Sequence, residues 1–441
     1  MVQIIRRYIY LFMLSYFLIV LVGILNYPNI NENVLLFNVV FAIGYFLVIF
    51  LAINSPYYNL SRLIRIIVVF NVVFTTALLL FFYFNTGHFF SFAAVDSVYY
   101  QDIAERFHGS SLPATVKGIL RENDLDDLGF PLFLSLIYSV VNKIVVARLA
   151  MVLIVSLSAF YTYKIGVSFL QKKFAFIATL LFYVSPAVIL YSSNGLKENL
   201  MLLIINAAFY YFIKYQKLQK IKYLIYSIVV GSVIVLFRIP YIFFIVVSIG
   251  FTLLLYKKKS RISTYLYSLV LIGIVVYIIY FNYQYGIDRF TRINSDNVID
   301  NIAQATGQNS FFAFLTSIFI TVFGPLPSFF ADPSKLDLTI VAITPYLKVL
   351  FTPLFLVGIY YIIRLKNAYG MPFVIFILIN LISLVSIASS FEFRFHLMNF
   401  PFIFLISFYG LQHASRKVSR ICFFSAFLLI APVLIWNFGR L

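Results

Sequence analysis

Three stretches outside the long apolar runs combine carboxylates with cations or aromatic rings. The first, AAVDSVYYQDIAER, carries Asp96, the second contains the adjacent pair Lys197-Glu198, and the third, FEFRFH, contains Arg394. Arg238, just before a proline, belongs to the same group. A carboxylate can deprotonate a hydroxyl, and a fixed cation can neutralise a phosphate. If these residues share one face of the protein, they provide what a reaction on a phosphate-linked substrate requires.

Each of these stretches also has a structural interpretation. Residues 96, 99, 100, 103 and 107 fall at helical spacing, so Asp96 could be the N-cap of a short amphipathic helix. The Lys197-Glu198 pair could be a self-neutralising pair at the membrane boundary. Asp126-Asp127, followed by Gly129 and Pro131, is typical of a turn before a helix.

Metal chemistry has limited support in the sequence. Oxygen-rich carboxylate sites can hold Mg²⁺ or Mn²⁺, so Asp96 is a possible metal ligand. The four histidines are scattered, and no Cys/His metal spacing, phosphate-binding glycine loop or nucleophile elbow is present. No cofactor is predicted with certainty.

The elements that must position these residues are membrane spans. A hydrophobic content of 63%, a charged content of 11% and a mean hydropathy of +0.99 exclude a soluble domain of this length. The net charge of +18 comes from short basic flanks of apolar runs, which indicates orientation in a membrane rather than a nucleic-acid partner. Seven of the fifteen acids lie between Asp96 and Asp127, and none lies within a basic cluster.

The basic flanks, placed on the cytoplasmic side, predict an all-α polytopic membrane protein with about thirteen transmembrane helices and a cytoplasmic N-terminus. The predicted spans are 8–25, 34–53, 66–84, 145–165, 174–193, 199–214, 223–238, 240–256, 264–282, 345–364, 371–389, 397–413 and 421–438. All carboxylates then lie on the outer face.

Two further apolar stretches are not assigned as spans. Residues 130–141 are short for a crossing, and we predict a helix lying on the outer surface in the first outer loop, 85–143. Residues 311–327, in the second outer loop 283–344, could be surface-lying, re-entrant or spanning. No internal repeat or linker is visible, so residues 1–441 are predicted to form one integral domain, with a core module at 66–215 and a more variable half at 216–441.

Several motifs, taken in order, resemble those of a known superfamily. They are Asp-x-x-Tyr-Tyr-x-x-Ile-Ala from Asp96, Asp-Leu-Gly-Phe-Pro from Asp127, Lys-Glu-Asn-Leu from Lys197, and Glu-Phe-Arg-Phe-His from Glu392. Together they resemble the GT-C membrane glycosyltransferases, in particular the dolichyl-phosphate-mannose protein mannosyltransferase-like branch and its bacterial polyprenyl-phosphate-sugar-dependent relatives.

The resemblance implies a GT-C-type fold in which Asp96 and Glu198 are catalytic. Lys197, Arg238 and Arg394 are then predicted to contact the lipid phosphate, with Tyr99 and Tyr100 beside them in the substrate site. Two departures from the family are the extra spans before residue 60 and the absence of a large soluble domain after the last span.

The predicted function is transfer of a sugar from a polyprenyl-phosphate donor to a glycan, lipid or protein acceptor at the outer face of a bacterial cytoplasmic membrane. One alternative is a polysaccharide polymerase that uses undecaprenyl-diphosphate-linked repeat units. Another is a lipid-linked oligosaccharide flippase or other transporter, for which polar residues at mid-membrane depth and internal repeats would be expected. The sequence leaves the donor sugar, the acceptor and the oligomeric state open.

Overall fold

Helices account for nearly all of the regular structure. The computed structural model describes residues 2–26, 31–92, 94–122, 125–256, 318–330, 336–386 and 393–438, and this part contains no β-strand. The prediction of an all-α polytopic membrane protein is confirmed.

The first twelve helices follow one another closely along the chain. They are α1 Val2–Asn26, α2 Glu32–Asn54, α3 Leu60–Thr86, α4 Val95–Phe107, α5 Leu112–Glu122, α6 Gly129–Val140, α7 Ile144–Gly166, α8 Lys172–Tyr183, α9 Pro186–Asn194, α10 Glu198–Leu218, α11 Ile221–Ser232 and α12 Pro240–Tyr256. Short 3-10 helices, Leu125–Asp127 and Val233–Leu236, precede α6 and follow α11.

Seven further helices are described in the second half. They are α13 Leu336–Val341, α14 Ile343–Arg364, α15 Met371–Ser386, α16 Phe393–His396, α17 Phe400–His413, α18 Arg416–Leu428 and α19 Ile430–Phe438. The predicted span 264–282 lies outside the described residues.

Seven helical segments in the described part are long and apolar enough to cross a membrane. They are Gln3–Leu25, Glu32–Asn54, Leu60–Thr86, Ile144–Gly166, Ile343–Arg364, Phe393–His413 and Arg416–Phe438. Consecutive helices α8 and α9 could form an eighth span, bent by 48°, with Pro186 opening α9. Proline cannot continue the hydrogen-bond ladder of the preceding helix, which accounts for a break there. The number thirteen stays a prediction. Helix α10 is not among these segments, α11, α12 and α15 are shorter apolar helices, and 264–282 lies outside the described residues.

The centre of the molecule is helix α17. Nearly all of the Phe393–His413 segment is buried, whereas less than half of each of the first three spans is buried. Helix α17 packs closely on α14 through two glycines. A Cβ added to Gly358 would lie 2.1 Å from the Ile406 carbonyl oxygen, and one added to Gly410 would lie 2.4 Å from the Leu354 carbonyl oxygen. Small residues allow this close approach of two backbones.

The first predicted outer loop folds as the short helices α4, α5 and α6. Helix α6 has 12 residues, about 18 Å at 1.5 Å per residue, which is too short to cross a hydrocarbon core. Its buried side, which includes Phe130 and Tyr138, packs against α4 and its surroundings, and Tyr100 meets Phe130 edge to face. A helix beside α4 is therefore confirmed, while its position on the membrane surface stays a prediction.

Part of the segment 311–327 is described and docks on α14. The buried Lys348 ammonium donates hydrogen bonds to the carbonyl oxygens of Thr321, at 3.2 Å, and Gly324. Residues 311–317 lie outside the described part, so the choice between a re-entrant and a spanning segment stays open.

Candidate active site

Asp96 forms an ion pair with Arg394. Helix α4 begins at Val95 with Ala94 in the N-cap position, and no side chain caps it. The interpretation of Asp96 as an N-cap is therefore wrong, because Asp96 is already the second helical residue. Its carboxylate accepts a hydrogen bond of 2.8 Å from Arg394 Nη1, and both side chains are partly exposed. Two residues 298 positions apart in sequence thus meet at one point.

Phe395 brings the two predicted arginines together. The Arg238 guanidinium lies 4.5 Å from the centroid of the Phe395 ring, and the Arg394 guanidinium lies 5.1 Å from it. The Tyr241 hydroxyl also donates a hydrogen bond of 3.4 Å to the Phe395 carbonyl oxygen. Cation–π attraction favours both arginine positions. Sequence reasoning missed Phe395, although its place between two polar residues in FRFH was a usable signal.

Lys197 pairs with Asp127 rather than with Glu198. The Lys197 ammonium forms an ion pair with the Asp127 carboxylate, which also accepts a 3.1 Å hydrogen bond from the Tyr100 hydroxyl. The interpretation of Lys197-Glu198 as a self-neutralising pair is therefore wrong. Asp127 ends the 3-10 helix before α6, so the predicted turn is present, but its role as the partner of Lys197 was missed.

Glu198 is the buried acid of the group. It begins α10 and is only 7% exposed, and its Oε2 has no hydrogen-bond partner within the described residues. Burial raises the pKa of Glu198, while the charges of Lys197, Arg238 and Arg394 partly oppose the rise. These three predicted phosphate ligands therefore all lie near Glu198.

Tyr100 lies among the three carboxylates. Burial raises the pKa of the Tyr100 hydroxyl, and the negative charges of Asp127, Glu198 and Asp96 raise it further. The structure therefore brings together six of the seven predicted site residues, from four separate parts of the chain. Tyr99 is 42% exposed, and its part in binding stays a prediction.

A cavity of about 330 Å³ opens beside the Asp96–Arg394 pair. Its polar lining includes Asp96, Ser97, Asn194, Asp337 and Arg394, and its aromatic lining is Tyr191 and Phe393. A hydrogen-bond chain fixes one wall: Asn194 Nδ2 donates to Ser91 Oγ at 2.8 Å, and Ser91 Oγ donates to Asp337 at 2.6 Å. Sequence reasoning missed Asp337, since its loop was placed on the outer face without a role.

Arg148 packs against the turn at Gly195, just before Lys197-Glu198. It is fully buried, and none of its three side-chain nitrogens has a hydrogen-bond partner in the described part of the chain. Gly195 passes directly over it with a φ of +62°, and a Cβ at that position would lie 1.5 Å from Arg148 Nη1. Only glycine fits this backbone conformation and this approach.

The described residues around Asp96 do not form a metal site. No group of three His, Cys, Asp or Glu side chains in this part of the chain could hold a metal ion, and the carboxylate of Asp96 is engaged by Arg394. Divalent cations that prefer oxygen ligands need several such groups around them. The described residues therefore do not fit Mg²⁺ or Mn²⁺ at Asp96, and the possible metal role of Asp96 stays a prediction.

Comparison with known proteins gives one family match. Residues 128–281 match the model of the dolichyl-phosphate-mannose-protein mannosyltransferase family. No curated protein and no solved structure shows significant similarity to the chain. The matched segment includes Lys197, Glu198 and Arg238, together with the helices α6 to α12 that hold them. The match confirms the resemblance found in the sequence: over this segment, the chain is similar to the dolichyl-phosphate-mannose-protein mannosyltransferase family.

Proposed function

We propose that the protein transfers a sugar from a polyprenyl-phosphate-linked donor to a hydroxyl of a glycan, lipid or protein acceptor, at the outer face of a bacterial cytoplasmic membrane. The observation that supports this most is the convergence of two acids, Asp96 and Glu198, with the three cations Lys197, Arg238 and Arg394. The family match supports the class of reaction.

Asp96 acts as the general base. It takes the proton of the acceptor hydroxyl while the oxygen attacks the anomeric carbon of the donor sugar. The bond between that carbon and the phosphate oxygen breaks, and the electron pair leaves with the polyprenyl phosphate. A single displacement of this kind inverts the anomeric configuration. Lys197, Arg238 and Arg394 stabilise the negative charge that develops on the leaving phosphate.

Donor binding and base activation are linked through Arg394. In the structure its guanidinium is paired with Asp96, so the base is partly neutralised. A donor phosphate that attracts Arg394 weakens this pair and leaves the Asp96 carboxylate free to accept a proton. Lys197 is likewise paired with Asp127 and can turn to the phosphate. The Asp96–Arg394 pair is partly exposed, and such ion pairs contribute only about 0–1 kcal/mol, so exchanging this pair is inexpensive.

Asp96→Asn tests the general base. We expect sugar transfer to fall by ~10²–10⁴-fold, the usual scale of a general acid–base contribution. The protein should still fold, because the lost ion pair is exposed and contributes little to stability. Asp102→Asn, an exposed carboxylate on the same helix, is the matched control and should keep wild-type transfer. The assay is transfer from a polyprenyl-phosphate sugar in liposomes.

Arg394→Ala tests the proposed contact with the donor phosphate. This change should raise the KM for the donor by on the order of tenfold or more, because a charge-assisted hydrogen bond is lost. Wild-type turnover by a well-folded Asp96→Asn protein would remove Asp96 from the mechanism. An unchanged donor KM in Arg394→Ala would remove Arg394 from the phosphate site.

A further inference from the structure

We infer that α7, α10 and α11 form a binding site for the headgroup of an anionic phospholipid, at the end of α10 that lies farthest from Glu198. The site is independent of the proposed function, because it lies away from the candidate active site. Lys214 lies roughly 24 Å from Glu198 along α10, at ~1.5 Å per residue. In the predicted topology, this end of α10 lies at the cytoplasmic boundary of the membrane.

Five tyrosine rings meet at this end of the three helices. The ring centroid of Tyr161 on α7 lies 5.3 Å from that of Tyr210 and 6.4 Å from that of Tyr211, both on α10. On α11, the Tyr226 ring lies 5.7 Å from Tyr211 and 6.2 Å from Tyr223. All five side chains are partly exposed, so a ligand can reach them. Tyrosine is enriched at the depth of the lipid headgroups.

Two lysine ammonium groups share one of these rings. Lys214 Nζ lies 5.0 Å from the centroid of the Tyr223 ring and 5.2 Å from that of Tyr210. Lys222 Nζ lies 5.4 Å from the Tyr223 centroid. Cation–π attraction favours each ammonium position, but the two positive charges repel each other. We call these two lysines and the five tyrosines the lysine–tyrosine cluster.

The charge of the cluster is not balanced by a carboxylate in the described residues. Neither Lys214 nor Lys222 belongs to an ion pair in that part of the chain. Between residues 128 and 287 the sequence contains one acid, Glu198, at the other end of α10. A phosphate that approaches both ammonium groups offsets their repulsion and accepts a charge-assisted hydrogen bond from each.

The surroundings of the cluster favour a membrane lipid as the source of that phosphate. Lys222, Tyr226 and Val229 lie at helical spacing on one exposed face of α11, and Val229 is 58% exposed. A phospholipid can therefore place its headgroup on the lysines and its acyl chains along the apolar part of this face. Basic pockets between transmembrane helices bind anionic headgroups in this way. The preference for lysine at cytoplasmic boundaries accounts for the charges, but not for their meeting at one ring.

Lipid binding to the purified full-length protein in detergent tests the site. The probes are dioleoyl phosphatidylglycerol and dioleoyl phosphatidylcholine, which differ only in the headgroup, titrated by native mass spectrometry. We expect the wild-type protein to bind phosphatidylglycerol more tightly. Lys214→Gln/Lys222→Gln should weaken this binding by on the order of 30-fold, because a lysine near a membrane surface contributes ~1 kcal/mol.

The matched control for the charges is Arg416→Gln/Lys417→Gln, which removes two exposed cations from the start of α18. It should keep the wild-type affinity for phosphatidylglycerol. Inorganic phosphate at millimolar concentration should not displace the lipid, because it has no acyl chains to bind along α11.

Tyr223→Leu tests the shared ring without changing the charge. It should weaken phosphatidylglycerol binding by about 3–10-fold, since both ammonium groups lose their aromatic contact. Tyr360→Leu is the matched control, because the Tyr360 ring lies 5.7 Å from the Arg364 guanidinium on a different helix. That change should leave the affinity as in wild type.

Four results would overturn the inference. The wild-type protein binds the two lipids equally, the Lys214/Lys222 variant loses no more affinity than the Arg416/Lys417 variant, Tyr223→Leu binds like wild type, or inorganic phosphate displaces the lipid. The last result would assign the cluster to a soluble anion. The comparison of the two lipids and the Tyr223→Leu variant decide the question even if the double lysine variant does not fold.

Discussion

Glu198 is the buried acid of the candidate site. Its carboxylate is buried, with one oxygen unpartnered in the described structure, yet three cations lie close enough to favour its charge. A carboxyl group retained in such surroundings is more typical of a functional site than of a structural one. Its ionised form depends on the cations that the donor phosphate also needs. In the proposed reaction, a donor phosphate that neutralises these cations would raise the pKa of Glu198 further.

Glu198→Gln should stabilise the protein while lowering its activity. Burial raises the pKa of Glu198 above its ordinary value of 4.5, so the folded state binds this proton more tightly than the unfolded state. At a pH above the raised pKa, the ionised carboxylate lowers the free energy of unfolding. At a pH below the ordinary pKa of 4.5 the group is protonated in both states, and this loss disappears. We expect a higher melting temperature for the variant at pH 8 and no gain near pH 4. Sugar transfer should fall by up to ~10²-fold.

The control for this experiment is Glu105→Gln, an exposed acid on α4. It should change neither the melting temperature at pH 8 nor the transfer rate. A Glu198→Gln protein that is less stable than wild type at pH 8 would show that the charge of Glu198 is structural, held by its three cations.

At this scale, the sequence predicted the types of residue but not their pairing. The sequence identified Asp96, Glu198, Lys197, Arg238 and Arg394, because the chain has only fifteen carboxylates and the cations near them have a clear chemistry. The sequence did not identify Asp127, Ser97 or Asp337 as site residues. Asp127 contacts Lys197, Ser97 lines the cavity and Asp337 contacts Ser91, and these contacts arise only when distant parts of the chain meet. No local pattern encodes such contacts.

At the scale of elements, helix α17 is positioned by backbone contact with α14. Gly358 and Gly410 lie at their crossing, and a Cβ at Gly410 would lie 2.7 Å from the Gly358 nitrogen. Helix α16, which carries Arg394, leads through a short 3-10 turn into α17. The crossing of α14 and α17 therefore determines where Arg394 can meet Asp96.

Gly358→Ala should destabilise the protein and reduce activity. The added methyl group would overlap the Ile406 carbonyl, and overpacking of this kind costs about 1–3 kcal/mol. Gly250→Ala is the matched control, since it also lies inside a helix but has no described atom within 4 Å of an added Cβ. That change should be neutral or slightly stabilising, because alanine is the better helix former. Thermal unfolding in detergent distinguishes the two, and equal melting temperatures would contradict the close packing.

Span positions were predictable because the length of an apolar run reports the thickness of the membrane core. Predicted spans such as 34–53 and 145–165 fall within one or two residues of the helices α2 and α7. The break in 174–193 was not predicted, because a proline such as Pro186 does not show how far the helices on its two sides diverge. The 48° bend depends on how α8 and α9 pack.

At the scale of the whole molecule, the predicted membrane topology can be tested directly. We expect reporter fusions to place residues Asn123, Asn194 and Asn309 outside and residues Lys220, Lys258 and Lys417 inside, because basic flanks stay on the cytoplasmic side. Asn194 is buried and hydrogen-bonded to Ser91, so fusions suit it better than cysteine labelling. Asn194 and Lys220 on the same side of the membrane would contradict the predicted topology and the placement of all carboxylates on one face.

The Asp96–Arg394 pair joins two residues that are synthesised at different times. Its two residues are separated by 298 positions, so at typical synthesis rates of ~5–20 residues per second they leave the ribosome about 15–60 s apart. Throughout that interval Asp96 has not yet met Arg394, while the intervening helices are inserted. In the proposed mechanism, the general base and this phosphate-binding cation are therefore brought together only after the chain has been made as far as residue 394.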